Sequence, residues 1–174
     1  MLLYKTIKDL LLTSGFCLLV SGCGFASLYA VDNKEDVAAH YADIDVPSIP
    51  DREGQYLRNA LVDELYQPGR TGEARYDLKF TPLVKNIVNS GIQKDATATR
   101  AQIQFTTHMQ LVDKNTGKPV LERDMKTVGS YNLLDNQLST LVSQQNIIDS
   151  TLREMKDNVM TELALYFRRK ASPT

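Results

Sequence analysis

Little in this 174-residue chain points to catalysis. It has no GxSxG elbow, HExxH pair, CxxC pair or phosphate-cradling glycine loop. Its two histidines, His40 and His108, stand alone. Without a second His or Cys nearby a metal would lack ligands, so each reads as a solvated or hydrogen-bonded side chain. Asp43 with Asp45, and Glu122 with Asp124, have the spacing of a common strand face, but solvated strands produce such pairs constantly. No enzyme and no cofactor are expected. An excess of one charge is missing too. With 20 Lys+Arg against 21 Asp+Glu, the chain lacks the basic surplus of a nucleic-acid binder. No apolar run is long enough to serve as a permanent anchor: the stretch 10–20 falls short of the roughly 20 residues that a membrane-spanning helix needs.

That short run has a use. Lys5 and Lys8 give it a basic start, and it closes on Val20-Ser21-Gly22-Cys23, so residues 1–22 read as an export signal. The ending resembles that of bacterial lipoprotein precursors, where an aliphatic residue and two small residues precede a cysteine. The resemblance implies cleavage after Gly22 and a diacylglycerol on the Cys23 thiol. Gly24, in place of an Asp, implies the outer membrane as destination. Cys17 leaves with the signal, so Cys23 remains alone and no internal disulfide can form. Removing 22 of 174 residues, with Lys5, Lys8 and Asp9, leaves 152 residues carrying 18 basic and 20 acidic side chains. That is enough for one domain, expected over 37–170 behind a lipidated tether at 23–36.

The strand and helix signals alternate along the mature chain. In 39–46, Tyr41, Asp43 and Asp45 alternate with Ala42, Ile44 and Val46, which predicts a strand stopped by Pro47 and Pro50. Asp51 is placed to cap a helix that carries Leu57, Ala60, Leu61 and Leu65 on one face and ends at Gln67. Tyr76, Leu78 and Phe80 predict a second strand, which Pro82 pushes toward an edge or a bulge. Residues 85–97 show no usable pattern. The clearest strand is 100–112, with Ala101, Ile103, Phe105, Thr107, Met109 and Leu111 on one face and Gln102, Gln104, Thr106, His108 and Gln110 on the other. Turn residues at 113–117, with Gly117 free to take positive φ, predict an antiparallel return over 120–131 whose register is ambiguous. From 137 to 169 a helical repeat runs through Leu138, Leu141, Ile148, Leu152, Met155, Val159, Leu163 and Tyr166, as one helix or two collinear ones. Arg168, Arg169 and Lys170 complement its C-terminal dipole. The expected fold is α+β: two helices packed on one face of a mainly antiparallel four-stranded sheet.

Several pieces in order carry a further resemblance. They are Cys23-Gly24-Phe25 with Leu28-Tyr29, Ile49-Pro50-Asp51-Arg52-Glu53-Gly54-Gln55 leading into Leu57-Arg58-Asn59-Ala60-Leu61, and Ala98-Thr99-Arg100-Ala101. The 113–118 turn, Gly129-Ser130-Tyr131-Asn132 and the closing helix through Leu163 and Phe167 complete the set. Together they resemble the LptE family of lipopolysaccharide-assembly lipoproteins in its alphaproteobacterial form. The resemblance implies an α/β sandwich lodged in the lumen of the outer-membrane β-barrel LptD, as plug and assembly factor in lipopolysaccharide transport. A plug needs a polar surface that can hydrogen-bond a water-lined wall, and Gln102, Gln104 and Thr106 are the candidate barrel-facing residues. The resemblance also places basic residues where Lys94, Arg100 and Lys126 fall, as candidate lipopolysaccharide contacts. If Arg100 and Lys126 lie on adjacent antiparallel strands, one phosphate-bearing headgroup could reach both. Two other readings of such a chain are an auxiliary lipoprotein of a lipid-trafficking ABC transporter and a periplasmic small-ligand binder or enzyme.

Overall fold

The computed structural model describes residues 40–66, 73–92, 98–133 and 136–171. The chain runs β1 (Ile44–Asp45), α1 (Asp51–Leu65), β2 (Tyr76–Phe80), β3 (Val84–Ile92), β4 (Ala98–Asp113), β5 (Lys118–Asn132) and α2 (Gln137–Ala171). Strand β4 is the spine. One of its edges pairs with β5 along nearly its whole length, and the other is shared end to end by β2 and β3. The alternation read from its sequence reports its burial: Ala101, Ile103, Phe105, Thr107, Met109 and Leu111 are all buried, while the intervening residues are not. Helix α1 brings Leu57, Leu61 and Leu65 to the core, and α2 brings Leu152, Met155, Val159, Leu163 and Phe167.

The α+β expectation holds, but the sheet differs from it in two ways. It has five strands among the described residues, not four, because β3 falls inside the segment that showed no pattern. The cause is physical: residues 84–89 of this edge strand are exposed on both faces, so no apolar-polar alternation was required of them. The sheet is also mixed, since β1 pairs parallel with β2. The expected strand at 39–46 shrinks to Ile44–Asp45. Residues 40–42 are helical, and the Asp43 N–H donates to the His40 carbonyl at 3.3 Å. The burial alternation through Ala42, Ile44 and Val46 is real; it arises from a turn and a short strand in sequence.

Local chemistry explains the joints. Pro50, not Asp51, occupies the helix cap, and Asp51 is the first residue of α1 with φ of 67°, a left-handed conformation that Asp tolerates better than most residues. No side chain caps this end; Gln55 Nε2 donates instead to the Ile49 carbonyl and to Ser48 Oγ. A Cβ on Gly54 would stand 2.7 Å from Ile49 Cγ2, so glycine there is what lets Ile49 fold into the core. The helix ends at Leu65, two residues before the expected stop, with Tyr66 as its cap; Gln67 lies outside the described residues.

Between β2 and β3, Phe80 opposes Met109 but Val84 opposes Thr106, so one extra residue bulges from this edge. Thr81 satisfies the gap: its N–H donates to the His108 carbonyl at 3.0 Å and its hydroxyl accepts the His108 N–H at 2.9 Å. Pro82, which has no N–H to offer, follows it, as the proline suggested. At the far end, Gly117 takes φ of 66°, and Asp113 accepts the Asn115 N–H at 2.9 Å and an Arg75 guanidinium at 3.0 Å. Those contacts, the Asn115 backbone first, hold its carboxyl below the usual aspartate range.

The long C-terminal helix is continuous. Its first turns depart from the expected stripe: Leu138 and Leu141 are 70% and 55% exposed, and Phe167 takes the core position expected of Tyr166. Among the described residues no helix is long and apolar enough to cross a membrane.

Candidate functional site

The sheet face turned away from the helices holds most of the residues singled out from the sequence. Directly opposed residues on antiparallel strands share a face. The register therefore sets them in rows across β3, β4 and β5: Val84, Thr106 and Lys126; then Asn86, Gln104 and Val128; then Val88, Gln102 and Ser130. Arg100 follows, opposite Asn132. Gln102, Arg100 and Lys126 are exposed, and Gln104 and Thr106 are half-buried among their neighbours. Lys94 lies outside the described residues.

The two halves of this face differ in chemistry. Toward the 114–117 turn, side chains satisfy one another. His108 Nδ1 lies 2.7 Å from Asp124 Oδ1, Gln110 Nε2 donates to Glu122 Oε1 at 2.8 Å, and Lys114 bridges to Asp77 at 3.0 Å. In the rows beyond, Gln102, Gln104, Thr106, Arg100 and Lys126 make no side-chain hydrogen bond or ion pair among the described residues. Three valines sit among them: Val84, Val88 and Val128 are 53%, 58% and 43% exposed. Sequence reading missed all three, because Val84 lies just ahead of the unpatterned segment and Val88 within it, and Val128 lies on the strand of unknown register. Unused donors and acceptors interleaved with apolar side chains, on a strand backed by two helices, make a surface suited to being covered by another polypeptide.

The pairing also fixes the distance between the two described cations. Lys126 opposes Thr106, six positions along β4 from Arg100, which is about 20 Å at roughly 3.3 Å per residue. They share a face, but they are too far apart to hold one phosphate between them. Among the described residues no group of His, Cys, Asp and Glu could hold a metal ion. His40 stacks on Phe167 with ring centroids 4.8 Å apart, and the carboxylates of Glu122 and Asp124 are taken by Gln110 and His108.

The model of the family described as LptE, lipopolysaccharide-assembly, matches residues 41–163, well over half of the chain. The chain belongs to the LptE family. Solved structures agree on the fold. A lipoprotein from Caulobacter crescentus superposes on this LptE-family chain with a TM-score of 0.61 at 20% identity, covering 77% of this chain and 97% of that one. Rare lipoprotein B from Shewanella oneidensis gives 0.58 at 8% identity, covering 74% and 97%. A minor lipoprotein from Acinetobacter baumannii gives 0.51 at 14% identity, covering 70% and 88%. No curated protein matches the chain. Membership of LptE places the protein in lipopolysaccharide assembly, and the resemblance first carried by short motifs extends through β5 and most of α2.

Proposed function

We propose that this LptE-family protein is a lipid-anchored component of the outer membrane, held on its periplasmic side by Cys23, that plugs the LptD β-barrel and helps it assemble during lipopolysaccharide transport. The observation that supports this reading best is the half of the sheet face where Gln102, Gln104 and Thr106 have no partners among the described residues and alternate with exposed valines. A water-lined barrel interior offers the complementary donors and acceptors. Replacing Gln104 and Thr106 with Leu should weaken capture of the barrel by roughly tenfold or more, because groups on the barrel side would be buried without partners. The unfolding temperature of the free chain should stay within a few degrees, since neither side chain reaches the core. Co-purification from detergent-solubilised outer membranes reads the first effect and calorimetry the second. Should the chain bring down inner-membrane transporter subunits and no barrel, the auxiliary-lipoprotein reading takes its place.

Direct contact with lipopolysaccharide belongs to the same proposal. Arg100 and Lys126, with Lys94, offer cations to the phosphates of the glycolipid, and at about 20 Å apart Arg100 and Lys126 would meet separate phosphates. Joint replacement of Lys94, Arg100 and Lys126 by Glu should reduce lipopolysaccharide binding in a salt-sensitive assay without lowering thermal stability much. Unchanged binding would leave the protein a structural plug alone.

A further inference from the structure

We propose that a groove between the start of β5 and the last turns of α2 binds the phosphate of an anionic membrane lipid, and so gives the domain a second hold on the bilayer besides the lipid on Cys23. The groove is an open cleft of about 620 Å³ on the flank of the fold. Its floor includes Val120 and Tyr166, and three cations line it: Arg123, Arg169 and Lys170. Val120 is the extra residue where the β4–β5 register shifts: Leu111 opposes Leu121 while Val112 opposes Pro119, which leaves Val120 unopposed and partly exposed.

The charges are not equivalent. Arg123 is engaged with Glu162 at 3.0 Å and with the Glu122 carbonyl at 2.8 Å, and the one carboxylate of the lining, that of Glu122, is engaged by Gln110. Arg169 and Lys170 have no ion-pair partner among the described residues. Both are nevertheless held in place. Arg169 Nε donates to the Leu165 carbonyl at 3.2 Å, and Lys170 Nζ donates to the Tyr76 hydroxyl at 2.6 Å while lying 5.3 Å from that ring's centroid. Side chains already ordered lose less entropy on meeting a ligand. The C-terminus of a helix offsets about half a positive charge. Glu122 keeps its charge against the neutral Gln110, so the two cations exceed the helix end and that carboxylate together by about half a charge, and the groove retains a small positive excess.

Position and composition name the ligand class. His40 stacks on Phe167, so the chain enters the described fold beside the same last turns of α2. His40 stands only 17 positions after Cys23, at most about 60 Å of chain. If Cys23 is the anchor, a reading on which this proposal rests, the groove lies within tether reach of the bilayer surface. There, phosphates stand beside glycerol and acyl carbons. Arg169 and Lys170 suit the first, and Val120 with the Tyr166 ring suits the second.

The test uses the full, acylated chain in mild detergent, titrated with short-chain phosphatidylglycerol, short-chain phosphatidylcholine or inorganic phosphate, while amide exchange is followed over 120–123 and 166–170. Phosphatidylglycerol should slow exchange in both segments. The Arg169→Gln, Lys170→Gln double variant should bind it at least tenfold more weakly, at about fivefold per basic side chain near an anionic surface, and Arg169→Lys, Lys170→Arg should retain it. Equal protection by inorganic phosphate would make this a free-anion site, and equal protection by phosphatidylcholine, which has the same phosphodiester and acyl chains but no net charge, would show that the groove does not select an anionic lipid. Either result, or no protection at all, overturns the proposal. Failure of the anchor reading shows separately, as an unmodified N-terminal mass in the same sample.

Discussion

Gly129→Val should cost the fold about 3 kcal/mol or more and lower its unfolding temperature by roughly 10 °C, a large part of the 5 to 15 kcal/mol a domain ordinarily has. A Cβ at this position would stand 2.2 Å from Thr151 Oγ1 and 2.6 Å from Ile147 Cγ2. Neither neighbour is free to give way, because the Thr151 hydroxyl is tied to the Ile147 carbonyl at 2.7 Å within α2. Valine at 129 must therefore lift the helix off β5, on the stretch where the core passes from Tyr131 to Thr127. Gly117 provides the internal comparison. Its φ is positive, unlike that of Gly129, but nothing lies within 4 Å of its missing Cβ, so Gly117→Ala pays only for backbone conformation, about 1 kcal/mol. Thermal unfolding of both variants, with Gly129→Ala, Thr151→Ala as a partial rescue, separates steric from conformational cost. A Gly129→Val chain that melts within a degree of the parent would show that α2 does not approach β5 this closely.

Cys23→Ala should leave the chain as an uncleaved precursor that keeps residues 1–22. On the proposed anchor reading the expected effect is all or none, because lipid attachment and cleavage after Gly22 would both depend on that thiol. A single acyl chain, at about 0.8 kcal/mol per buried CH₂, gives only marginal membrane binding, and firm anchoring takes more than one. Mass spectrometry of the native protein should accordingly find an acylated N-terminus at residue 23, and the variant should lack it. A free amine beginning at any other residue would remove the anchor from the account.

What the sequence conveys about this fold follows from burial. Along β4 one face is core and the other is not, so polarity alternates over its whole length and both faces could be read residue by residue. The middle and end of α2 were legible for the same reason, through Leu152, Met155, Val159 and Leu163. Legibility fails where one side of an element has nothing to bury against. Strand β3 has no covering layer over 84–89, and Leu138 and Leu141 continue a helical repeat into solvent. Parallel pairing of the two-residue β1 is a tertiary choice with no local pattern to announce it. The candidate site was half legible: Gln102, Gln104 and Thr106 were placed on their face by period alone. The 20 Å between Arg100 and Lys126, and the rows that bring Val84 and Val128 beside Thr106 and Gln104, depend on register, which polar faces do not specify.

The placement of β4 also bears on the order in which the chain can organise itself. Its longest pairing, with β5, closes through the four-residue turn 114–117, and α2 then folds back over the hairpin it follows in sequence. Contacts this local carry a small loop-closure entropy and form early on a smooth landscape. Strand β2 continues, one bulge beyond Val84, the edge that β3 opens on the same spine, and β1 can join only once β2 is seated, by closing the loop from Ile44 to Tyr76. The segment nearest Cys23 is thus the last to be enclosed. A nascent chain already held by its N-terminus would still leave the C-terminal half free to complete its own hairpin and helix.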